Sequence, residues 1–317
     1  MSRKFTIGVV SDIHFASTAE QARGDDYESR NISNPLLRWF LKAYRHFIWL
    51  RHPLQHNDRL DEFLERVGDV DVVVANGDYS CDSAFVGVSD DAAFQSTEEC
   101  LSKLRGKFAS AFRATIGDHE LGKFSFVGKQ GGLRLASFNR LPKLGLEPFW
   151  MLERGSYVII GVASSLIALP VFEPETLPGE LAEHMEKIRR AFDLLKPNSR
   201  VILFCHDPTA LPFLYREEAV RKKLGQIELT IIGHLHSGLI LWKSRLLAGM
   251  PEIRFMGHSV RRMSRALHEA RHWKSFHVQL CPSLAGTELL KDGGFLKIEI
   301  DLSTAMPVSV NKHRLPR

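Results

Sequence analysis

Residues 5–14 read FTIGVVSDIH, an apolar, β-branched run that stops abruptly on Asp12 and His14. Such a run fits the pleated, buried surface of a sheet, and its end carries two side chains able to bind a cation. The pattern recurs as VDVVVANGD at 70–78, FRATIGDHE at 112–120, SRVILFCHD at 199–207 and LTIIGHLH at 229–236. Helix-compatible stretches at 58–68, 97–109, 180–195 and 215–224 lie between these runs. Strands feeding intervening helices predict a layered α/β architecture with the polar strand ends gathered at one sheet edge. Farther on, PEIRFMG at 251–257, KSFHVQL at 274–280 and GGFLKIEIDL at 293–302 predict a second sheet in the C-terminal half, and hence a two-sheet sandwich.

The 317 residues are 44% hydrophobic and 25% charged, which supplies a large core and excludes wholesale disorder. Glycine and proline are scattered and no repeat marks a boundary, so residues 1–317 are read as one domain with an insertion near 30–57 and a C-terminal sheet extension. Lys plus Arg, 42, against Asp plus Glu, 37, leaves a net charge of +5, a modest excess that permits anionic partners without specifying nucleic acid. Cys81, Cys100, Cys205 and Cys281 are far apart and form no CxxC pair, as suits isolated thiols in a reducing compartment. No apolar leader precedes the first strand, so the expected location is cytoplasmic. The apolar stretch Tyr157 to Phe172 is too short to span a bilayer and is read as a buried strand followed by a loop.

The insertion is unusual. PLLRWFLKAYRHFIWLRH at 35–52 begins with a proline suited to a helix start, is followed by Pro53, and contains no acid. Its apolar residues recur every three or four positions and Arg38, Lys42, Arg45 and Arg51 interrupt them, so a cationic amphipathic helix of 35–52 is expected. It either packs on the protein or caps an amphiphile-binding surface, where Arg38, Phe40 and Phe47 would touch substrate or the cytoplasmic face of a membrane. A second basic segment, RRMSRALHEARHWKSF at 261–276, offers Arg261 and Arg262 to a polyanion, or simply to solvent.

Taken singly, Asp12-x-His14, Asp78 after Gly77, Asp118-His119, His206-Asp207 and His234-x-His236 are ordinary polar strand ends. Together, at the ends of successive strands, they predict a metal centre. If the first and last segments stay extended, Asp12 and His14 share one face, as do His234 and His236. Carboxylate oxygens with imidazole nitrogens suit manganese, iron or zinc.

The motifs SDIH, GD, GDHE, CHD and GHLH resemble those of the calcineurin-like metallophosphoesterases over most of residues 5–240. That resemblance implies a four-layer αββα sandwich holding two divalent ions, Mn2+ first, with Fe or Zn as alternatives. It implies that Asp12, His14 and His236 serve one ion, that His206 and His234 serve the other with Asp118, and that Asp78 bridges them. His119 would then stabilise the transition state or protonate the leaving oxygen. One position departs from the pattern: the family's motif carries asparagine where this chain has Asp118, which keeps a ligand oxygen but adds a negative charge and loses the amide donor.

The function expected is metal-dependent hydrolysis of a phosphodiester or diphosphate in a phosphate-containing small molecule. The hydrophobic insertion favours an amphiphilic one, resembling the lipid-linked nucleotide substrate of UDP-diacylglucosamine pyrophosphatases. A nuclease or cyclic-nucleotide phosphodiesterase, a protein phosphatase, and a weakly active metal-dependent scaffold are the alternatives. Nucleic acid is the weaker substrate reading, because no basic and aromatic groove is evident.

Overall fold

A computed structural model describes residues 4–30, 32–124, 131–169, 178–255, 258–303, 306 and 308–315. Among the described residues, ten strands form two five-stranded sheets. The first contains β1 (Lys4–Val10), β2 (Val72–Asn76), β3 (Phe112–Thr115), β9 (Gly294–Asp301) and β10 (Ser309–Arg314), ordered β10-β9-β1-β2-β3. The second contains β4 (Phe149–Arg154), β5 (Tyr157–Val162), β6 (Arg200–Cys205), β7 (Ile227–Ile232) and β8 (Val278–Leu280), in sequence order. Within each sheet a run of strands reaching one edge is parallel: β1, β2 and β3 in one, β5 to β8 in the other. Antiparallel β9 and β10 close one edge and β4 another.

Every residue of β2 is buried because both faces of its sheet are covered, as a near-continuous apolar run demands. Val72 and Val74 turn inward with Ile7, Val9, Ile298 and Ile300 and meet Ile159, Ile202, Phe204 and Ile231 of the second sheet. Val73 and Ala75, one residue out of phase, turn outward against Leu60, Phe63, Leu101 and Leu104 of flanking helices. The outer face of the second sheet carries Ile160 and Leu203 against Ile188, Phe192, Leu214 and Trp273. The layers are therefore helix, sheet, sheet, helix, as the resemblance implies and in keeping with the layered α/β reading of the strand and helix alternation.

The C-terminal strands do not make a sheet of their own. β8 extends the second sheet while β9 and β10 return to the first, because the inward side chains of β9 complete the layer begun by β1. Residues 251–255 form no strand, and Met256 and Gly257 lie outside the described residues. Lys274 to Phe276 belong to a 3-10 turn that buries Trp273 and Phe276. The predicted 97–109 helix begins earlier, at Asp91, because the Asp90 carboxylate caps it by accepting from the Ala93 N–H. The 215–224 segment divides into Leu211–Arg216 and Glu218–Lys222 around Glu217, which is extended. After β5 the chain enters a short helix, Ser164–Ala168, rather than a loop; Pro170 to Phe172 lie outside the described residues.

The insertion helix is Pro35–Phe47, capped by Asn34 Oδ1, which accepts from the Leu36 and Leu37 N–H groups. It ends at Phe47, six positions before Pro53. The Ile48 and Trp49 N–H groups both close on the Tyr44 carbonyl, and Trp49 leaves the helix to pack its ring on His236, 4.6 Å away. A tertiary contact, not the proline, sets the boundary.

Phe204 has no solvent exposure and packs between the sheets beside Trp150. Phe204→Ala is expected to cost about 3–5 kcal/mol through lost contacts and a cavity that rigid strands cannot close. Urea unfolding measures this; a change below about 1 kcal/mol would show that the intersheet layer does not hold the fold.

Candidate metal centre

The parallel strands of both sheets point their C-terminal ends at one rim, and five loops leave there. Asp12 and His14 follow β1, Asp78 follows β2, Asp118 and His119 follow β3, His206 follows β6, and His234 and His236 follow β7. Two groups result: Asp12, His14, Asp78 and His236, and Asp78, Asp118, His206 and His234. In each, four ligand-type atoms lie within 4.8 Å of one another, and Asp78 belongs to both. The structure thus brings together the seven residues named from the sequence, grouped as the resemblance implies.

The local conformation differs from the extended one expected. Asp12, His14, Asp78, His234 and His236 have φ between 52° and 61°, in the left-handed region. Asp and His enter this region more readily than branched residues do, but it still costs energy and tends to mark functional sites. In the last loop the Leu235 N–H bonds the Gly233 carbonyl and the Ser237 N–H bonds the Leu235 carbonyl, both at 2.6 Å. These are consecutive tight turns centred on His234 and His236, and they bring both rings to the rim where a strand would alternate them with Leu235.

Backbone groups hold the loops together. Asp78 O accepts from the Ile13 and His14 N–H groups at 2.9 and 3.1 Å, Asp12 Oδ1 accepts from the His234 N–H at 3.0 Å, and Asp78 Oδ1 from the His119 N–H at 3.1 Å. The approach leaves no room at two glycines. A Cβ on Gly117 would stand 2.2 Å from Asp78 Oδ1, and one on Gly233 2.2 Å from Ser11 Oγ.

Carbonyls after β2 orient three imidazoles. Ser80 O accepts from His119 Nδ1 at 2.8 Å and faces His14 Nδ1 at 3.4 Å, while Asn76 O accepts from His206 Nδ1 at 2.5 Å. Donation from Nδ1 leaves Nε2 without a proton and available to a ligand. The residues fit cations on this evidence: Asp12 Oδ2, Asp78 Oδ2 and His206 Nε2 are buried without hydrogen-bond partners, and His14 Nε2 faces His236 Nε2 at 3.4 Å. Buried lone pairs directed at one another need a positive centre between them.

Electrostatics agree. Burial raises the Asp12 and Asp78 carboxyls above the ordinary range; Asp78 adds to the rise at Asp12 and Asp118 to that at Asp78, while His206 opposes both. Burial alone would raise Asp118 too, but His234, 2.9 Å away, and His206 outweigh it and hold its carboxyl well below that range. Burial lowers His14 to about 4 and, with Lys123, holds His119 well below the usual histidine range.

Sequence reasoning missed three participants. Glu120, fully buried, accepts from the Gly117, Asp78 and Tyr79 N–H groups at 2.7, 3.1 and 2.8 Å, and so clamps the loop after β2 to that after β3. Its place inside GDHE was the available signal. Trp49 closes the chain of rings Trp49, His236, His14 and His119, whose successive centroids are 4.6, 5.0 and 4.6 Å apart. Lys123, buried, donates to Cys81 O at 2.6 Å and reaches Glu28 at 3.4 Å; nothing in its sequence context distinguished either of the last two.

The proposed substrate contacts are dispersed. Phe40 and Phe47 are exposed, and the Arg38 guanidinium donates to Ile32 O. Arg261 is engaged with Glu252, whereas Arg262 lies over the Phe124 ring at 4.7 Å and is electrostatically coupled to Asp207. Of the two arginines, Arg262 sits beside the segments that carry the centre.

Comparison with known proteins follows this geometry. The family model of calcineurin-like phosphoesterases matches residues 5–238. No curated protein matches the sequence. Among solved structures, a purple acid phosphatase from yellow lupin (Lupinus luteus) seeds aligns at 10% identity over 99% of this chain and 55% of its own, with a TM-score of 0.46. A metallophosphoesterase from Sphaerobacter thermophilus aligns at 13% identity over 99% and 89%, with a TM-score of 0.34. The phosphopantetheinyl hydrolase of Mycobacterium tuberculosis aligns at 15% identity over 74% and 84%, with a TM-score of 0.37. This chain therefore spans just over half the length of the lupin enzyme.

Glu120→Gln replaces one accepting oxygen with an amide donor facing backbone donors. It is expected to weaken Mn2+ binding about 10–100-fold, the range for groups that orient ligands. Titration calorimetry on folded protein checks this, and unchanged affinity would remove Glu120 from the clamp.

Proposed function

Because the chain belongs to the calcineurin-like phosphoesterase family, we propose that its metal-dependent phosphoester hydrolysis runs at a two-cation centre and acts on a phosphodiester or diphosphate in an amphiphilic small molecule. The observation that carries the first part is the pair of four-residue clusters sharing Asp78. Asp12, His14 and His236 would hold one ion, Asp118, His206 and His234 the other, with Asp78 between them and Mn2+ as the first candidate. Such ions supply charge stabilisation at the phosphoryl oxygens and activation of a water nucleophile.

The side chains do the rest. Ser80 O holds the His119 Nδ1 proton, so Nε2 faces the centre and would pass a proton to the leaving oxygen only after the ring takes up a second proton there. Burial and Lys123 disfavour that proton, and the incoming phosphate anion offsets them. Arg262, which feels the charge of Asp207 beside the centre, would meet an anionic headgroup. The amphiphile reading rests on the insertion helix, whose apolar residues are exposed while its end touches His236 through Trp49. A lipid-linked nucleotide diphosphate such as UDP-diacylglucosamine fits this combination, with the enzyme working at the cytoplasmic face of a membrane. Among the described residues no helix is long and apolar enough to cross one.

The test is a mass-resolved screen with Mn2+ that compares acylated nucleotide diphosphates, cyclic nucleotides, short nucleic acids and phosphopeptides. Turnover of the acylated diphosphates above the others is expected; preference for another class would replace the amphiphile reading, and no turnover at full metal occupancy would leave only a scaffold. Asp78→Asn is expected to cut turnover by at least about a hundredfold, since a shared ligand matters more than an orienting neighbour. Asp118→Asn removes the third carboxylate charge, which repels phosphate, and is expected to raise turnover severalfold at matched metal occupancy. Equal rates at matched occupancy would show that this charge does not limit phosphate approach.

A further inference from the structure

The Pro35–Phe47 helix buries none of its residues. Leu36, Phe40 and Phe47, on one face at helical spacing, are 77%, 62% and 66% exposed, and neighbouring Trp39 is 70% exposed. The opposite side is tied down. Arg45, with an almost wholly buried side chain, pairs with Glu28, and Glu28 in turn meets the buried Lys123. The apolar residues therefore form an outward ridge fixed in place. A single acyl chain needs a groove, whereas a ridge is covered only by a broad apolar phase or another macromolecule.

The ridge continues beyond the helix. Ile48 O accepts from the Leu289 N–H at 3.3 Å and Trp49 O from the Glu288 N–H at 2.8 Å, which sets exposed Leu289 and Leu290 beside exposed Ile48. The unpaired charges around it are basic. Arg38, Lys42, Arg51 and Lys291 are exposed and, among the described residues, form no ion pair with a carboxylate. The nearby acids are engaged: Asp25 with His52 at 2.7 Å, Asp26 with Arg30 at 2.6 Å, and Glu288, whose carboxylate accepts from the Arg51 N–H at 3.2 Å.

From this complementarity we infer that the ridge Leu36, Trp39, Phe40, Phe47 and Leu289 docks on an anionic lipid bilayer, its side chains in the acyl boundary and its cations at the headgroups. The inference rests on the amphiphile reading for what is then hydrolysed, but the docking itself requires no substrate. Since Trp49 links this surface to His236, docking would put the metal rim at headgroup level, where a phosphate ester anchored in the bilayer can enter.

The test is co-sedimentation of the full chain, without added metal, with vesicles of phosphatidylcholine alone or mixed with phosphatidylglycerol. Binding to the mixed vesicles, weakened by salt, is expected. Leu36→Ser with Trp39→Ser should lower partitioning at least about tenfold, and Lys42→Glu with Arg51→Glu should remove the preference for phosphatidylglycerol while leaving the ridge intact. Circular dichroism verifies each fold. Failure of the wild type to sediment, or equal sedimentation of wild type and both variants, would overturn the inference. So would light scattering showing a dimer that only the serine variant dissolves, because a second copy would then cover the ridge. Turnover of a soluble phosphodiester by protein that does not bind vesicles would sink docking and spare the hydrolase; vesicle binding without turnover on any substrate would do the reverse.

Discussion

Three carboxylates, Asp12, Asp78 and Asp118, lie buried within reach of one another at the rim where the two sheets converge. Removing that much negative charge from water is tolerable only with compensating positive charge and fully used hydrogen bonds. The protein meets part of this demand with imidazoles, as the 2.9 Å contact of His234 with Asp118 shows, and leaves Asp12 Oδ2 and Asp78 Oδ2 without partners. The remainder falls to cations, which is why the same atoms that destabilise a bare pocket define a metal site.

Holding such a cluster is the work of the surrounding backbone. The loops adopt left-handed conformations that ordinary strand ends avoid, and they persist because cross-loop hydrogen bonds over-determine them. Glu120 contributes as much as any ligand to this arrangement, since its carboxylate gathers three N–H groups from two loops. The carbonyls of Asn76 and Ser80 then set the rings of His206 and His119. The end of β2 and the loop after it thus supply Asp78, which both clusters share, together with the carbonyls that orient rings from other loops.

The insertion shows the same economy. Its inner side is fixed through Arg45, Glu28 and Lys123, and Lys123 lies close enough to His119 and His14 to lower both. Its end delivers Trp49 to His236. The segment that gives the surface its amphipathic character is therefore in physical contact with the centre, and whatever covers its outer ridge lies next to the chemistry.

Much of this was legible along the chain. Strand runs ending in Asp and His, with helices between them, predicted two layered sheets and named all seven residues of the two clusters, because apolar periodicity and ligand chemistry are local properties of the sequence. The pairing of the C-terminal strands, the early end of the insertion helix at Phe47, and the outward aim of Phe40 and Phe47 were not. Each depends on which distant surface a segment meets: β9 joins β1 across the whole chain, Trp49 is drawn to His236, and Arg45 turns inward to Glu28. The Asp12 and His14 pair was expected to align by strand alternation, whereas both residues are left-handed and the turn is held by Asp78. By itself the sequence determined the kinds of atoms and the order in which strands present them. Only the tertiary structure decided where they point, because direction is set by hydrogen bonds and packing between residues hundreds of positions apart.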